Sequence, residues 1–238
     1  MRSFPCTTLA ALALAVALPT AARADIVTAA LDNATVQPAG PRSGANGKQF
    51  FNIEGSSNGT FASYGVIDFQ FGAVASQPAF TGLTLALTQA NAAFTSNGGL
   101  NFYLDTNNSA NIQPGASPLL FSGTGEGTAS NITGGQLALL SLGSGSFTQV
   151  SNGAENDYSF ALTAGLASIL QADVQSNAAI RIVVTPADPT VAATWAGATS
   201  VTPERLTLGT APTTPVPEPA TLSVLALALG ALAIRRRA

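Results

Sequence analysis

The 238-residue sequence has no histidine and a single cysteine. Without imidazole, the commonest general base and the commonest metal ligand are both missing, and neither a Ser-His-Asp nor a Cys-His arrangement can be built. The one cysteine, Cys6, falls in an N-terminal stretch that reads as a removed segment. The remaining body therefore has no disulfide, no thiolate ligand and no cysteine nucleophile. Charge is scarce as well, with Asp, Glu, Lys and Arg making up 9% of the chain. Between residues 25 and 215 the bases are Arg42, Lys48, Arg181 and Arg205, set against eleven acids, for a net charge of −7. A body of that sign is repelled by phosphate backbones, so no nucleic-acid partner is expected. Its polar surface has to come largely from Ser, Thr, Asn, Gln and Gly.

The longest apolar runs lie at the two ends. Arg2 supplies a positive flank, residues 9–18 (LAALALAVAL) an apolar run, Pro19 a break, and Ala22-Arg23-Ala24 a small-x-small cleavage site. That order predicts a signal peptide over residues 1–24, cut by signal peptidase before Asp25. A buried amphipathic helix would need a polar face, which residues 9–18 lack.

The C-terminal end reads Val216-Pro217-Glu218-Pro219, then an apolar stretch over residues 220–234, then Arg235-Arg236-Arg237. As a helix rising about 1.5 Å per residue, that stretch covers roughly 22 Å of a hydrocarbon core about 30 Å thick. It is a short anchor, and its three arginines snorkel to headgroups on the cytoplasmic side, which puts the body outside. These parts, in this order, resemble the PEP-CTERM sorting tail of Gram-negative bacteria. The resemblance implies that an exosortase in the inner membrane reads Pro217, Glu218 and Pro219 and cuts nearby. It also implies an inner-membrane precursor, a mature form at the cell surface or outside the cell, and exopolysaccharide as a possible partner.

Between the ends the hydrophobic period is two. Ile67, Phe69 and Phe71 alternate with Asp68 and Gln70. Leu83, Leu85 and Leu87 alternate with Thr84 and Ala86, and Leu100, Phe102 and Leu104 with Asn101 and Tyr103. Leu137, Leu139 and Leu142 form a more continuous run. Tyr158, Phe160 and Leu162, then Ile180, Ile182 and Val184, then Leu206 and Leu208, complete the series. Alternation broken by Asn-Gly and Ser-Gly clusters marks half-buried antiparallel strands. About eight to ten of them predict an all-β, antiparallel β-sandwich of jelly-roll type. One segment breaks the pattern: Leu166, Ile169, Leu170 and Val174 stand at helical spacing and predict one short helix capping the sandwich. The expected organisation is a signal helix at 1–24, the sandwich at 25–209, a Pro-rich linker at 210–219, a transmembrane helix at 220–234 and a basic cytoplasmic tail at 235–238.

The order of Tyr64 to Phe69, Leu83 to Leu87, the capping segment and the closing Pro203 to Leu208 is similar in layout to jelly-roll carbohydrate-binding modules of the disaggregatase-related (DNRLRE) kind. The basic and acidic string that names that family is absent. The resemblance implies sugar binding, which uses exposed aromatic rings, and the candidates for stacking are Tyr64, Tyr103 and Trp195. Tyr103 faces opposite Phe102 on its strand, while Trp195 fits a core position under a loop at least as well.

Catalytic and metal signals are thin. Glu155 and Asp157 are the densest acidic pair, as glycosidase chemistry would need, but next to Asn152-Gly153 they read as a solvated turn. Asp105-Thr106-Asn107-Asn108-Ser109 starts like a calcium loop, yet Ala110 stands where glycine is required and Ala116 where the bidentate acid is required. No catalytic residue, no cofactor and no metal ligand is assigned, with a structural calcium in a different kind of loop left open. The leading functional expectation is an exported, exosortase-sorted surface or extracellular-matrix protein without catalysis. A carbohydrate-binding module that retains exopolysaccharide is the alternative, and a carboxylate-dependent glycan-active enzyme the third.

Overall fold

A computed structural model describes residues 25–42, 45–72, 74, 79–107, 110–115, 117–122 and 133–210. The signal segment 1–24, residues 211–219 of the linker, the apolar stretch 220–234 and the basic tail lie outside these residues. So do Ala22, Ala24, the Val216 to Pro219 motif and Arg235 to Arg237. The described residues belong to one compact unit. None of the described helices is long and apolar enough to cross a membrane.

The fold is all-β and antiparallel, as the period-two pattern predicts. The strands are β1 (Ile26–Gln37), β2 (Gly40–Pro41), β3 (Phe50–Glu54), β4 (Tyr64–Phe69), β5 (Phe80–Thr88) and β6 (Gly98–Asp105). They continue with β7 (Leu139–Phe147), β8 (Glu155–Ala161), β9 (Ile180–Pro186), β10 (Ala192–Ala196) and β11 (Arg205–Thr210). β11 runs through Thr210, one residue into the stretch read as linker. The helices are α1 (Ala45–Gln49) and α2 (Ala164–Ser176).

The long first strand joins the two layers. From Ile26 to Ala29 it pairs with β11, and from Ala30 onward it pairs with β4. The register shifts between Ala30 and Asp32, so Leu31 is an extra residue opposite β4, and such a bulge bends the strand and sharpens its twist. The ladder then runs β7-β6-β9-β4-β1-β11-β5-β8. Its two ends, β7 and β8, come together without a ladder between them. A Cβ added at Gly145 would lie 2.8 Å from Cδ1 of Tyr158, so a larger residue there would push the two edges apart.

Inside the sandwich, the alternating residues of both layers meet. Ile67, Phe69, Phe102, Ile182 and Val184 pack against Leu83, Leu85, Leu206 and Leu208. Helix α2 adds Leu166, Leu170 and Val174 to this core. It begins where the Thr163 hydroxyl accepts a hydrogen bond from the Leu166 amide and ends at Asn177 in the left-handed conformation, φ 55°.

A second core lies on the other face of the β4–β9–β6 layer. The connection between β6 and β7 crosses it, burying Ile112, Leu119 and Leu137 against Val36, Tyr64, Val66 and Val183. Strand β9 is therefore buried along its whole length, and the face that sequence alternation assigns to solvent is an interior. Leu137 belongs to this cover, while β7 starts at Leu139.

A two-stranded ribbon of β3 and β10 completes the fold, with Asn52 opposite Thr194 and Phe51 opposite Trp195. Phe51, Ile53, Ala193 and Trp195 enter the main core. Because side chains alternate along a strand, Asn52, Glu54 and Thr194 share the opposite, outward face.

Candidate functional site

That outward face floors a cleft of about 710 Å³. Its lining residues come from several places in the chain: Gln37 at the end of β1, Arg42 just after β2, Asn52 and Glu54 on β3, and Thr194 on β10. Asn58 and Phe61 come from the 3₁₀ segment Ser56–Phe61, and Asn91 and Phe94 from the connection between β5 and β6. A second groove of about 480 Å³, with no charged side chain among its described lining residues, shares Asn91 with the first.

The polar floor is held by one residue. The Asn52 amide nitrogen of the backbone donates to Thr35 Oγ1 at 2.9 Å, and its side-chain Nδ2 donates to Thr194 Oγ1 at 2.8 Å. Its Oδ1 in turn accepts from Arg42 Nη1 at 2.7 Å. Strands β1, β3 and β10 are thereby locked together beneath the guanidinium. On one wall, Asn58 Nδ2 donates to the carbonyls of Gly55 and Val191, both at 3.0 Å, which pins the 3₁₀ segment to the ribbon.

Two phenyl rings stand at the cleft with most of their surface in solvent, Phe61 at 62% and Phe94 at 75% exposure. Large apolar side chains that open to water beside polar groups are a common feature of binding surfaces. Arg42 and Glu54 are the only charged residues of the described lining. Burial pushes the Glu54 carboxyl up to about 7, partly offset by the nearby Arg42 charge. A carboxyl in this state gains or loses its proton near neutrality.

The aromatic residues singled out from sequence lie elsewhere. Trp195 is fully buried, edge-on to Phe147 at 5.3 Å between centroids, and its indole N–H donates to Asn156 Oδ1 at 3.0 Å. Tyr64 is also fully buried, with its hydroxyl donating to the Leu120 carbonyl at 2.9 Å. Burial lifts that phenol well above the ordinary tyrosine range. Tyr103 does face away from Phe102, but it packs half-buried under the β6–β7 cover. Neither Tyr64 nor Trp195 presents an exposed ring face, whereas Phe61 and Phe94 are the exposed aromatic rings of the described cleft lining. Each is a lone aromatic in a loop among small or polar residues, which is the one sequence signal they give.

Glu155 and Asp157 are not in a turn. They lie on β8, exposed and on one face, with Glu155 bound to Arg205 of β11. Asp105 ends β6 and is built into the fold: its Oδ1 accepts from the Ala138 amide at 2.8 Å and from the Asn107 amide at 3.1 Å. Burial raises its pKa, and the two amides and Arg181 oppose that shift. Asn108, Ser109 and Ala116 lie outside the described residues. Among the described residues no group of three or more Asp, Glu, His or Cys side chains is placed to hold a metal ion. Asp25, the expected first residue of the mature chain, accepts from the Thr210 amide at 3.2 Å.

Comparison with known proteins adds one match. Residues 215–237 fit the family model of the PEP-CTERM protein-sorting motif. The chain thus carries the sorting signal of an exosortase substrate, an exported protein made as a membrane-anchored precursor. No curated protein matches the chain.

Proposed function

We propose that this chain is a cell-surface or extracellular-matrix protein with no catalytic activity of its own, displayed or released when exosortase acts on its tail. The observation that carries this reading is the sorting motif over residues 215–237. Signal peptidase removes residues 1–24 on the way out, and the sandwich is the part that works outside. Absence of catalysis is supported by the chemistry of the cleft. Glycoside hydrolysis generally needs two carboxyl groups flanking one bond, and the described cleft lining has one, Glu54. Of the other acidic pair, Glu155 is ion-paired with Arg205, and both Glu155 and Asp157 lie exposed on β8, away from the described cleft lining.

A second reading is favoured by a specific observation. Phe61 and Phe94 stand exposed beside a hydrogen-bonded polar floor, as a module retaining exopolysaccharide would require. Ring faces pack on the apolar faces of sugars, while amides and a guanidinium bond their hydroxyls.

Deleting the host exosortase gene and fractionating the cells tests the sorting half. The expected result is loss of the surface or extracellular form and build-up of a membrane-bound precursor. Unchanged surface display in the deletion strain would overturn it.

A further inference from the structure

We propose that the cleft takes a carboxylated polysaccharide, one that contains uronic acid units, with the Arg42 guanidinium pairing a sugar carboxylate and Phe61 and Phe94 packing on adjoining rings. This deepens the polysaccharide-binding reading and rests on it.

The argument starts from the cations. Lys48 pairs with Asp32 at 3.1 Å, Arg181 with Asp68 at 2.8 Å, and Arg205 with Glu155. Among the described residues Arg42 is the remaining cation, and it has no carboxylate within 4.0 Å. Its one bond to Asn52 leaves most of the five-donor fork available. The fork is also fixed in direction, because Asn52 is held from two sides by Thr35 and Thr194. A planar guanidinium held this way is suited to a carboxylate, which it grips with two parallel hydrogen bonds.

Glu54 at first opposes an anionic ligand. Its carboxyl is raised to about 7 by burial, with Arg42 the charged group acting on it, and Arg42 and Glu54 are the only charged residues of the described lining. An arriving carboxylate brings a like charge, which raises the Glu54 pKa further. Glu54 then binds a proton and becomes a donor, so ligand binding is coupled to proton uptake. The acidic body repels a polyanion at long range, but beyond about 8 Å this is screened at physiological ionic strength, whereas the Arg42 contact is direct. The second groove shares the lining residue Asn91 with the first, so a polymer chain has a neighbouring surface to follow.

The test measures binding of the full chain, held in mild detergent, to three carboxylated polymers: polygalacturonate, alginate and hyaluronate. Each is paired with its methyl-esterified or carboxyl-reduced form, and dextran sulfate is the anion control. The proposal expects at least one carboxylated polymer to bind about tenfold or more tightly than its neutral form. That preference should be lost in Arg42→Gln and kept in part in Arg42→Lys, with unchanged melting curves confirming the fold. Affinity should fall between about pH 6 and pH 8, and Glu54→Gln should flatten that dependence. Equal binding of carboxylated and neutral forms overturns the uronate proposal while leaving polysaccharide binding intact. Dextran sulfate binding as tightly as the best carboxylated polymer overturns it as well. No binding to any of the polymers overturns this proposal and the polysaccharide reading together.

Discussion

Arg181 grips Asp68 with both carboxylate oxygens engaged, Nε to Oδ1 at 2.8 Å and Nη2 to Oδ2 at 3.0 Å. The two face each other across β9 and β4, and Asp105 stands opposite Arg181 on the other side, on β6. The Arg181 and Asp105 side chains are 4% and 0% exposed, and that of Asp68 is 13% exposed. Asp105 Oδ2 is 3.7 Å from Arg181 Nη1, and neither atom has a hydrogen bond among the described residues.

One cation therefore offsets a buried acid, Asp105, and a partly buried one, Asp68. Removing it leaves two neighbouring carboxylates, one of them fully buried, without their cation, whereas removing one acid leaves the cation still partnered. Arg181→Met should cost about 3–5 kcal/mol of unfolding free energy, and Asp68→Asn clearly less. Chemical denaturation of both variants decides this, and an equal or smaller loss for Arg181→Met would contradict it.

Glu204 is fully buried, and both of its carboxyl oxygens lack a hydrogen-bond partner among the described residues. Burial raises its pKa to about 8, and the charge of Asp32 adds to the rise while its own backbone amide opposes it. In the unfolded chain the same group titrates near 4.5. Because the folded value is the higher one, its contribution is fully present below the unfolded pKa and is lost as pH rises toward 8. A pKa difference of one between the folded and unfolded chain is worth about 1.4 kcal/mol, so Glu204→Gln should stabilise the protein by a few kcal/mol near pH 8 and by little near pH 4. Melting temperatures across that range check the sign.

Phe61 and Phe94 contribute little to the core, given their exposure of 62% and 75%. Phe61→Ala and Phe94→Ala should each change stability by no more than about 0.5 kcal/mol. Each should weaken binding of the preferred polysaccharide by about five- to tenfold. Affinity gel electrophoresis together with a melting curve separates the two effects, and wild-type affinity in both variants would remove the rings from the site.

The main layers were legible from the sequence because their chemistry repeats. Leu83 to Leu87, Leu100 to Leu104 and Ile180 to Val184 alternate cleanly, and each became a strand at the expected place. Leu166, Leu170 and Val174 marked α2 in the same way. Strands β1, β3 and β10 carry no such pattern. β1 changes partners midway and is interrupted by the Leu31 bulge, so no single face persists along it. β3 and β10 are five residues each, too short for a period to stand out.

The cleft was illegible for a related reason. Arg42, Asn52, Phe61, Phe94 and Thr194 are spread over much of the chain and meet only through the ribbon and its loops. Tyrosine and tryptophan drew attention as ring donors, but Tyr64 and Trp195 each satisfy their polar atom inside the fold. The sorting tail was legible because a local string carries it. It is contained in residues 215–237, where the match to the sorting motif lies.

The most direct measurement is the intact mass of the protein recovered from outside its host cells. Export followed by exosortase processing predicts a chain that begins at Asp25, ends near the Val216 to Pro219 motif and lacks Arg235, Arg236 and Arg237. An extracellular form that retains the full arginine tail, or a chain found only in the cytosol with residues 1–24 intact, would contradict the account.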